Sequence, residues 1–265
     1  MAGIQTLNRS GGRFYVDPVS NRKAPSVTSI VAMLPKPFLT AWAAKLTAEN
    51  AVDHLGSIVD LALTDRSGAV DYMKRAPHRS TKDAADVGTQ VHDLFEQVAR
   101  GQDLGRVHPD MLRYVEHIED FHERYEPDYL HIEDAVWSDK HDYAGSFDAV
   151  CRIDGELVIV DVKTTRSGVH EDAALQLAAY TFADRVIDQV GESKPMPAIE
   201  AAAVLHLRPE GWQLVPVRVD EEVLSFFLHL RHIFDWNTEV AKTVIGPPVY
   251  ESTPSTGSQR RKAKH

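Results

Sequence analysis

Asp154-Gly155 lies between two runs of largely alternating residues, 143–153 and 156–163, and that dipeptide is a strong signal for a two-residue hairpin turn. The turn constrains the fold because it fixes a register. Pairing runs outward from it, so Ile153 faces Glu156 and Cys151 faces Val158. Further out, Asp148 falls opposite Asp161, and Lys163, two residues on, shares the face of Asp161. Two carboxylates directly opposite each other repel unless something cationic lies between them. A divalent metal with a neighbouring lysine meets that need. Leu157 and Ile159 share the face of Asp161, while Val158, Val160 and Val162 line the other. A strand apolar on both faces is central and covered on both sides. Asp161 and Lys163 are therefore expected at the end of a buried strand.

The rest of the chain reads as helices first and strands later. A short strand is expected at 13–17, then a helix at 27–34 with Ser26 as its N-cap. Helices follow at 38–54, with Trp42 and Leu46 inward, and at 57–75, separated by Gly56. A loop is expected at 77–80. The helix at 81–100 carries an apolar stripe of Val87, Val91, Leu94, Phe95 and Val98, stops at Gly101, and is followed by another at 109–126. Strands are expected at 129–138, 143–153 and 156–163, then a helix at 171–190. A hairpin joins 199–207 to 212–219, and a last helix covers 221–240. Residues 246–265 are rich in Pro, Ser, Thr and basic side chains and read as a disordered basic tail. No internal repeat is visible. The layout is α/β: one domain over 1–245, mostly helical over 1–126, with the sheet core and its flanking helices over 127–245.

Several classes drop out. The lone cysteine, Cys151, cannot form an intrachain disulfide, and alone it cannot hold a structural zinc or an iron–sulfur cluster. No stretch is long enough to span a bilayer, and residues 1–10 lack the apolar core of a signal peptide, so a cytoplasmic protein with no membrane partner is expected. The net charge of −10 argues against a broad DNA-binding surface but not against a nuclease, whose site must itself be acidic. The last fifteen residues carry Arg260, Arg261, Lys262 and Lys264 against Glu251, which leaves the remainder near about −13. That tail could be a nonspecific DNA-binding arm or a solubilising or protein-contacting segment.

Asp148 followed by Asp161-Val162-Lys163, with apolar residues before the second acid, resembles the motif of the PD-(D/E)XK nuclease superfamily. Gln176-Leu177-Ala178-Ala179-Tyr180 is similar to the QxxxY motif of its RecB-like branch, and Gly88-Thr89-Gln90-Val91-His92 to that branch's upstream histidine motif. The order of these motifs matches the branch. Pro25–Ile30 with Trp42-Ala43 is similar to the N-terminal region of phage-encoded RecB-like exonucleases. Relatives that carry a four-cysteine iron–sulfur cluster are not the comparison, since only Cys151 is present. The resemblance implies a restriction-endonuclease-like core: a central mixed β-sheet flanked by helices, with a helical N-terminal region.

The chemistry suits these residue types. Asp148 and Asp161 offer hard oxygen ligands for Mg²⁺ or Mn²⁺. The resemblance implies that the Val162 backbone carbonyl joins them and that His92 adds a nitrogen, which favours Mn²⁺. Lys163 can orient the attacking water and stabilise charge on the scissile phosphate. Gln176 and Tyr180, four apart, share one helix face and by resemblance position the DNA backbone or the catalytic strand end. Each has an ordinary reading beside it: an ion pair at a strand end for Asp148, Asp161 and Lys163, a satisfied helix histidine for His92, helix–sheet contacts for Gln176 and Tyr180. Glu96, one turn beyond His92, could bind a second metal, hydrogen-bond the histidine or be a plain solvated glutamate. Glu133 could face the site from the preceding strand. Thr164 could contact phosphate or cap the strand. His141, His170 and His206 lack supporting spacing and read as surface or core residues.

These readings converge on a metal-dependent DNA exonuclease acting on linear ends in phage recombination, replication or end processing. A single-strand-annealing or recombination protein is a candidate partner. A structure-specific or restriction-like endonuclease, or a noncatalytic binding module that kept the fold, are the alternatives.

Overall fold

A computed structural model describes residues 4–9 and 11–250. The chain opens with strands β1 (Gln5–Arg9), β2 (Gly12–Val16) and β3 (Lys23–Pro25), which form a small antiparallel sheet. Helix α1 (Val27–Val31) follows, capped by Ser26, whose hydroxyl accepts from the Ser29 N–H at 3.0 Å. Then come α2 (Phe38–Asp53), α3 (Leu55–Thr64), α4 (Arg66–Lys74), α5 (Ala76–Ala99) and α6 (Leu112–Tyr125). The second half runs β4 (Asp128–Ile132), β5 (Ala135–Ser138), β6 (Tyr143–Ser146), β7 (Ala149–Ile153), β8 (Glu156–Lys163), α7 (Asp172–Thr181), β9 (Arg185–Ile187), β10 (Ser193–Pro195), β11 (Ala201–Arg208), β12 (Gly211–Pro216) and α8 (Glu221–Thr238).

The central sheet has five strands in the order β12-β11-β8-β7-β4. It is mixed: β8 and β11 run parallel, joined by the crossover through α7, and the other neighbours are antiparallel. Both faces of β8 are covered, as its two-sided apolar pattern requires. Leu157 and Ile159 pack with Val27 of α1, Leu177 of α7 and Phe227 of α8. Val158, Val160 and Val162 pack with Val91 and Phe95 of α5 and with Ile118 and Phe121 of α6.

The hairpin register is the one the turn predicts, from Ile153↔Glu156 out to Ala149↔Val160. Asp154 and Gly155 both adopt positive φ, 51° and 90°, as a tight turn of this hand demands. The expected strands 129–138 and 143–153 are each two strands. They break at the same level and continue from the central sheet into a four-stranded antiparallel one, order β10-β9-β5-β6. Hydrogen bonds bridge the break: the Glu133 N–H donates to the Asp148 carbonyl (2.9 Å) and the Phe147 N–H to the Asp134 carbonyl (3.1 Å). The pair is one long hairpin bent at a corner, and Glu133, at φ 53°, makes the bend on one side.

Other expectations need correction. The expected loop at 77–80 lies inside α5, where Pro77 sits in the first turn and so forfeits no helix bond. The break after α2 falls at His54, not Gly56, which lies inside α3, and a further break at Asp65 separates α3 from α4. The expected helix 171–190 ends at Thr181, because residues 185–187 pair with β5 instead. The expected tail beyond 250 lies outside the described residues. Among the described residues no helix is long and apolar enough to cross a membrane.

Candidate active site

The acids meet at the C-terminal end of β8, which carries Asp161. β7 stops pairing at Ala149, so Asp148 leaves the ladder one step past it, at the corner of the bent hairpin. Its carboxylate folds back over the strand end, where Oδ2 accepts the Val162 N–H at 2.5 Å. Its other oxygen lies 2.8 Å from Nδ1 of His92 on α5. In a strand the N–H and C=O of one residue point to the same edge. The Val162 carbonyl is thus directed toward the Asp148 side, past the end of β7.

On the other side of the strand end, α7 supplies Gln176. Its amide donates to Asp161 Oδ1 (2.8 Å) and to the Tyr180 hydroxyl (3.2 Å), and accepts from Lys163 Nζ at 3.5 Å. Lys163 Nζ lies 2.7 Å from Asp161 Oδ2. That contact is a close ion pair but is out of hydrogen-bonding alignment, so this buried oxygen has no hydrogen-bond partner. Tyr180 is fully buried, and its ring fills the space over Gly145, where a Cβ would stand 2.5 Å from Tyr180 Cε1.

The charges respond to this crowding. Burial alone would push His92 down, but the carboxylates of Asp148, Glu133 and Asp161 outweigh it and raise its pKa to about 9. Burial also disfavours ionised Asp148, yet the His92 charge and hydrogen bond, Lys163 and the Val162 N–H hold its carboxyl below the usual range. Asp161 goes the other way: burial and the Asp148 charge raise it despite Lys163. Lys163, disfavoured by burial, is raised by Asp161 and Asp148. The site thus holds its carboxylates with the His92 and Lys163 cations on either side of them.

Glu133 comes closer than its spacing predicted. One ligating atom from each of His92, Glu133 and Asp148 lies within 4.8 Å of the others. Burial, then the neighbouring Asp148 charge, raises the Glu133 pKa to about 8. Glu133 is therefore part of a possible donor group with His92 and Asp148, while Asp161 is engaged by Lys163 and Gln176. Glu96 forms no hydrogen bond with His92. Its Oε1 accepts from Arg100 (2.8 Å) and Gln189 (3.3 Å) and borders an open cleft of about 420 Å³ that Glu133 and Asp188 also line. Thr164 sits beside Gly88 of α5, half-exposed. His206, read in the sequence only as surface or core, is a core residue beside the site. It pairs with Lys163 across the parallel ladder, is 2% exposed, and holds the Thr165 carbonyl at 2.7 Å from Nε2. Its alternation with Val204 and Ala202 along β11 was the available signal.

The donor set fits a hard divalent cation. Two buried carboxylates, a backbone carbonyl turned to the same edge, an imidazole and a carboxylate oxygen without a hydrogen-bond partner are oxygen and nitrogen donors of the kind Mg²⁺ or Mn²⁺ takes.

A family model of the PD-(D/E)XK nuclease superfamily matches residues 38–245. No curated protein matches the chain. Among solved structures the chain is similar to one described as "Crystal structure of SSO0001", at 11% identity over 74% of this chain and 85% of that one, with a TM-score of 0.35.

Proposed function

This chain belongs to the PD-(D/E)XK nuclease superfamily, a family of metal-dependent nucleases, and from that premise we propose that it is a Mg²⁺- or Mn²⁺-dependent deoxyribonuclease of the RecB-like branch. It acts as an exonuclease on linear DNA, in phage recombination, replication or end processing. The observation that carries the reading is the pair of buried acids at one strand end with Lys163 Nζ 2.7 Å from Asp161.

His92, Asp148, Asp161 and the Val162 carbonyl would hold the cation, with Glu133 as a further donor. When bound, the cation lowers the pKa of a water and polarises the phosphoryl oxygen. Asp161 holds Lys163 by its charge, and Lys163 orients the attacking water and stabilises charge developing on the phosphate. Gln176 fixes both partners at once, bonded to Asp161 and Lys163. Tyr180 backs Gln176 from the core, so the pair acts on the strand end, and only Gln176 is near enough to the surface to meet DNA.

D161N and K163A are each expected to lower Mg²⁺-dependent release of nucleotides from end-labelled linear DNA on the order of 10²-fold or more, with the circular dichroism spectrum unchanged. Full activity in either variant would overturn the assignment. Closed circular DNA separates the exonuclease from a restriction-like endonuclease, since only the endonuclease cuts it. Running the digest in Mg²⁺ and then Mn²⁺ reports metal choice and polarity together.

A further inference from the structure

Five basic residues among the described residues are half-buried: Arg79, Lys163, Arg185, Arg208 and Arg231. Four of them are answered. Arg79 donates to the Tyr72 carbonyl and to Asn50, Lys163 pairs with Asp161, Arg185 with Asp17 and Asp139, and Arg231 with Asp142. Arg208 forms no hydrogen bond or ion pair among the described residues. Its Nε is buried without a partner, while Nη1 and Nη2, equally unpartnered, reach the surface. A cation drawn partly out of water with no opposite charge beside it costs stability. That is unexpected in a chain of net charge −10, where carboxylates outnumber bases. Arg208 ends β11, paired with Gly211 of β12. Side chains alternate along β11, so Arg208 shares a face with His206 and Val204, which pair with Lys163 and Asp161 of β8 respectively. Two residues cover about 6.6 Å and neighbouring strands lie about 4.8 Å apart, so the Cα atoms of Arg208 and Lys163 are about 8 Å apart. His206 holds the Thr165 carbonyl at 2.7 Å and so draws the loop after β8 onto the end of β11. Burial then gives way from His206, 2% exposed, to half-buried Arg208 at the rim of the same strand ends.

We propose that Arg208 binds a backbone phosphate of the substrate DNA, the neighbour of the phosphate that Lys163 serves, and so sets how far the strand runs into the site. The inference rests on the nuclease reading and adds a residue to it. A guanidinium presents a planar fork of N–H donors that meets two phosphate oxygens at once. Here the buried Nε holds the stem in place, and the open Nη1 and Nη2 are the outer prongs of that fork. Lys163 is engaged by Asp161 and Gln176, whereas Arg208 has no partner to give up before it takes a phosphate. The sheet order places it well. β8 lies between β7 and β11, so Asp148 and His92 stand on one side of Lys163 and Arg208 on the other. A strand of DNA crossing these strand ends from β7 to β11 meets the carboxylates, then Lys163, then Arg208. The acids repel a polyanion, and a cation beyond Lys163 offsets that repulsion without entering the carboxylate cluster.

R208A, R208K and R208M are to be compared with wild type on end-labelled linear DNA in Mg²⁺. KM is expected to rise about tenfold or more in R208A, because a charged hydrogen-bond donor is lost, with a much smaller change in kcat. R208M keeps the apolar stem and should match R208A. R208K keeps the charge without the fork and should fall between R208A and wild type. Binding is read apart from cleavage by fluorescence anisotropy of labelled DNA in a D161N background, with and without R208A. Losing one phosphate contact should lower the slope of log affinity against log salt by about 0.7–0.9. Should R208A melt low, R208M carries the comparison with the stem intact. Wild-type KM and an unchanged salt slope in R208A or R208M overturn the proposal, as does a loss confined to kcat. A wild type that releases no nucleotides defeats the nuclease reading, while the salt slope still decides the phosphate contact.

Discussion

Glu133 shows how a single side chain sets the behaviour of the metal-free site. Its carboxyl is pushed up to about 8 by burial and by Asp148, so the fold favours the neutral acid. The stability tied to that neutral form is complete below about pH 4.5 and is lost as the pH rises through about 8. His92 shifts in the same direction. Its pKa is raised from 6.5 to about 9, so its contribution is complete below about 6.5 and lost as the pH rises through about 9. The metal-free chain should therefore melt at falling temperatures between pH 6.5 and 9. E133Q removes one of the two losses and should flatten the slope, read by melting in EDTA across that range. Equal slopes in both proteins would show that Glu133 does not titrate there. Asp161 and Lys163 were legible at the end of a buried strand because the turn fixes the register out to Ala149↔Val160; Asp148 was legible only as a neighbour of that strand end, since it leaves the ladder before it can pair with Asp161. Glu133 was legible only as a candidate, because its approach depends on a bend at positive φ that no residue type announces. His206 was legible as a surface or core residue and proves to be core, but its contact was not, because Thr165 lies on the loop after another strand.

At the scale of elements, the contact between α7 and the bent hairpin positions Gln176. Gly145 makes it possible: a Cβ there would stand 2.5 Å from Tyr180 and 3.1 Å from Val27, both buried and unable to move aside. G145A is expected to cost about 1–3 kcal/mol, a drop of about 2–4 °C in Tm for each kcal/mol, and to weaken nuclease activity by displacing Tyr180 and with it Gln176. A variant that melts like the wild type would show that α7 can shift freely. The central strand β8 and the hairpin turn were readable from period and turn chemistry, and the register followed. The split into two sheets was not, because nothing in Glu133-Asp134 or Phe147-Asp148 marks a corner rather than a continuing strand. Residues 77–80 were misread because proline is compatible with a helix only in its first turn, and the sequence does not say where that turn falls. The end of α7 was hidden for another reason: Arg185-Val186-Ile187 fits either state, and pairing with β5 decides it.

For the whole molecule, two helices from distant parts of the chain, α5 and α7, close on one strand end. A cation bound there stabilises only the folded chain, because the unfolded chain has no such cluster. Tm should rise on adding MnCl₂ to metal-free protein and rise more at pH 9 than at pH 6.5, since a cation must replace the proton that His92 holds up to about 9. An H92A variant should lose the His92 share of that pH dependence and keep the share set by Glu133, whose carboxyl also holds its proton up to about 8, and a wild-type Tm indifferent to Mn²⁺ would remove the cation from the site. The bent corner adds a consequence for folding. Asp148 reaches the site only if β7 and β8 pair in their native register, because a slip of one residue turns every side chain of β7 to the opposite face. A mispaired chain would carry Asp148 away from the Val162 N–H and from His92, and the donor group would not assemble. A cation bound at the proposed site would then work as proofreading, selecting from the refolding population those molecules whose sheets have zipped in the right frame.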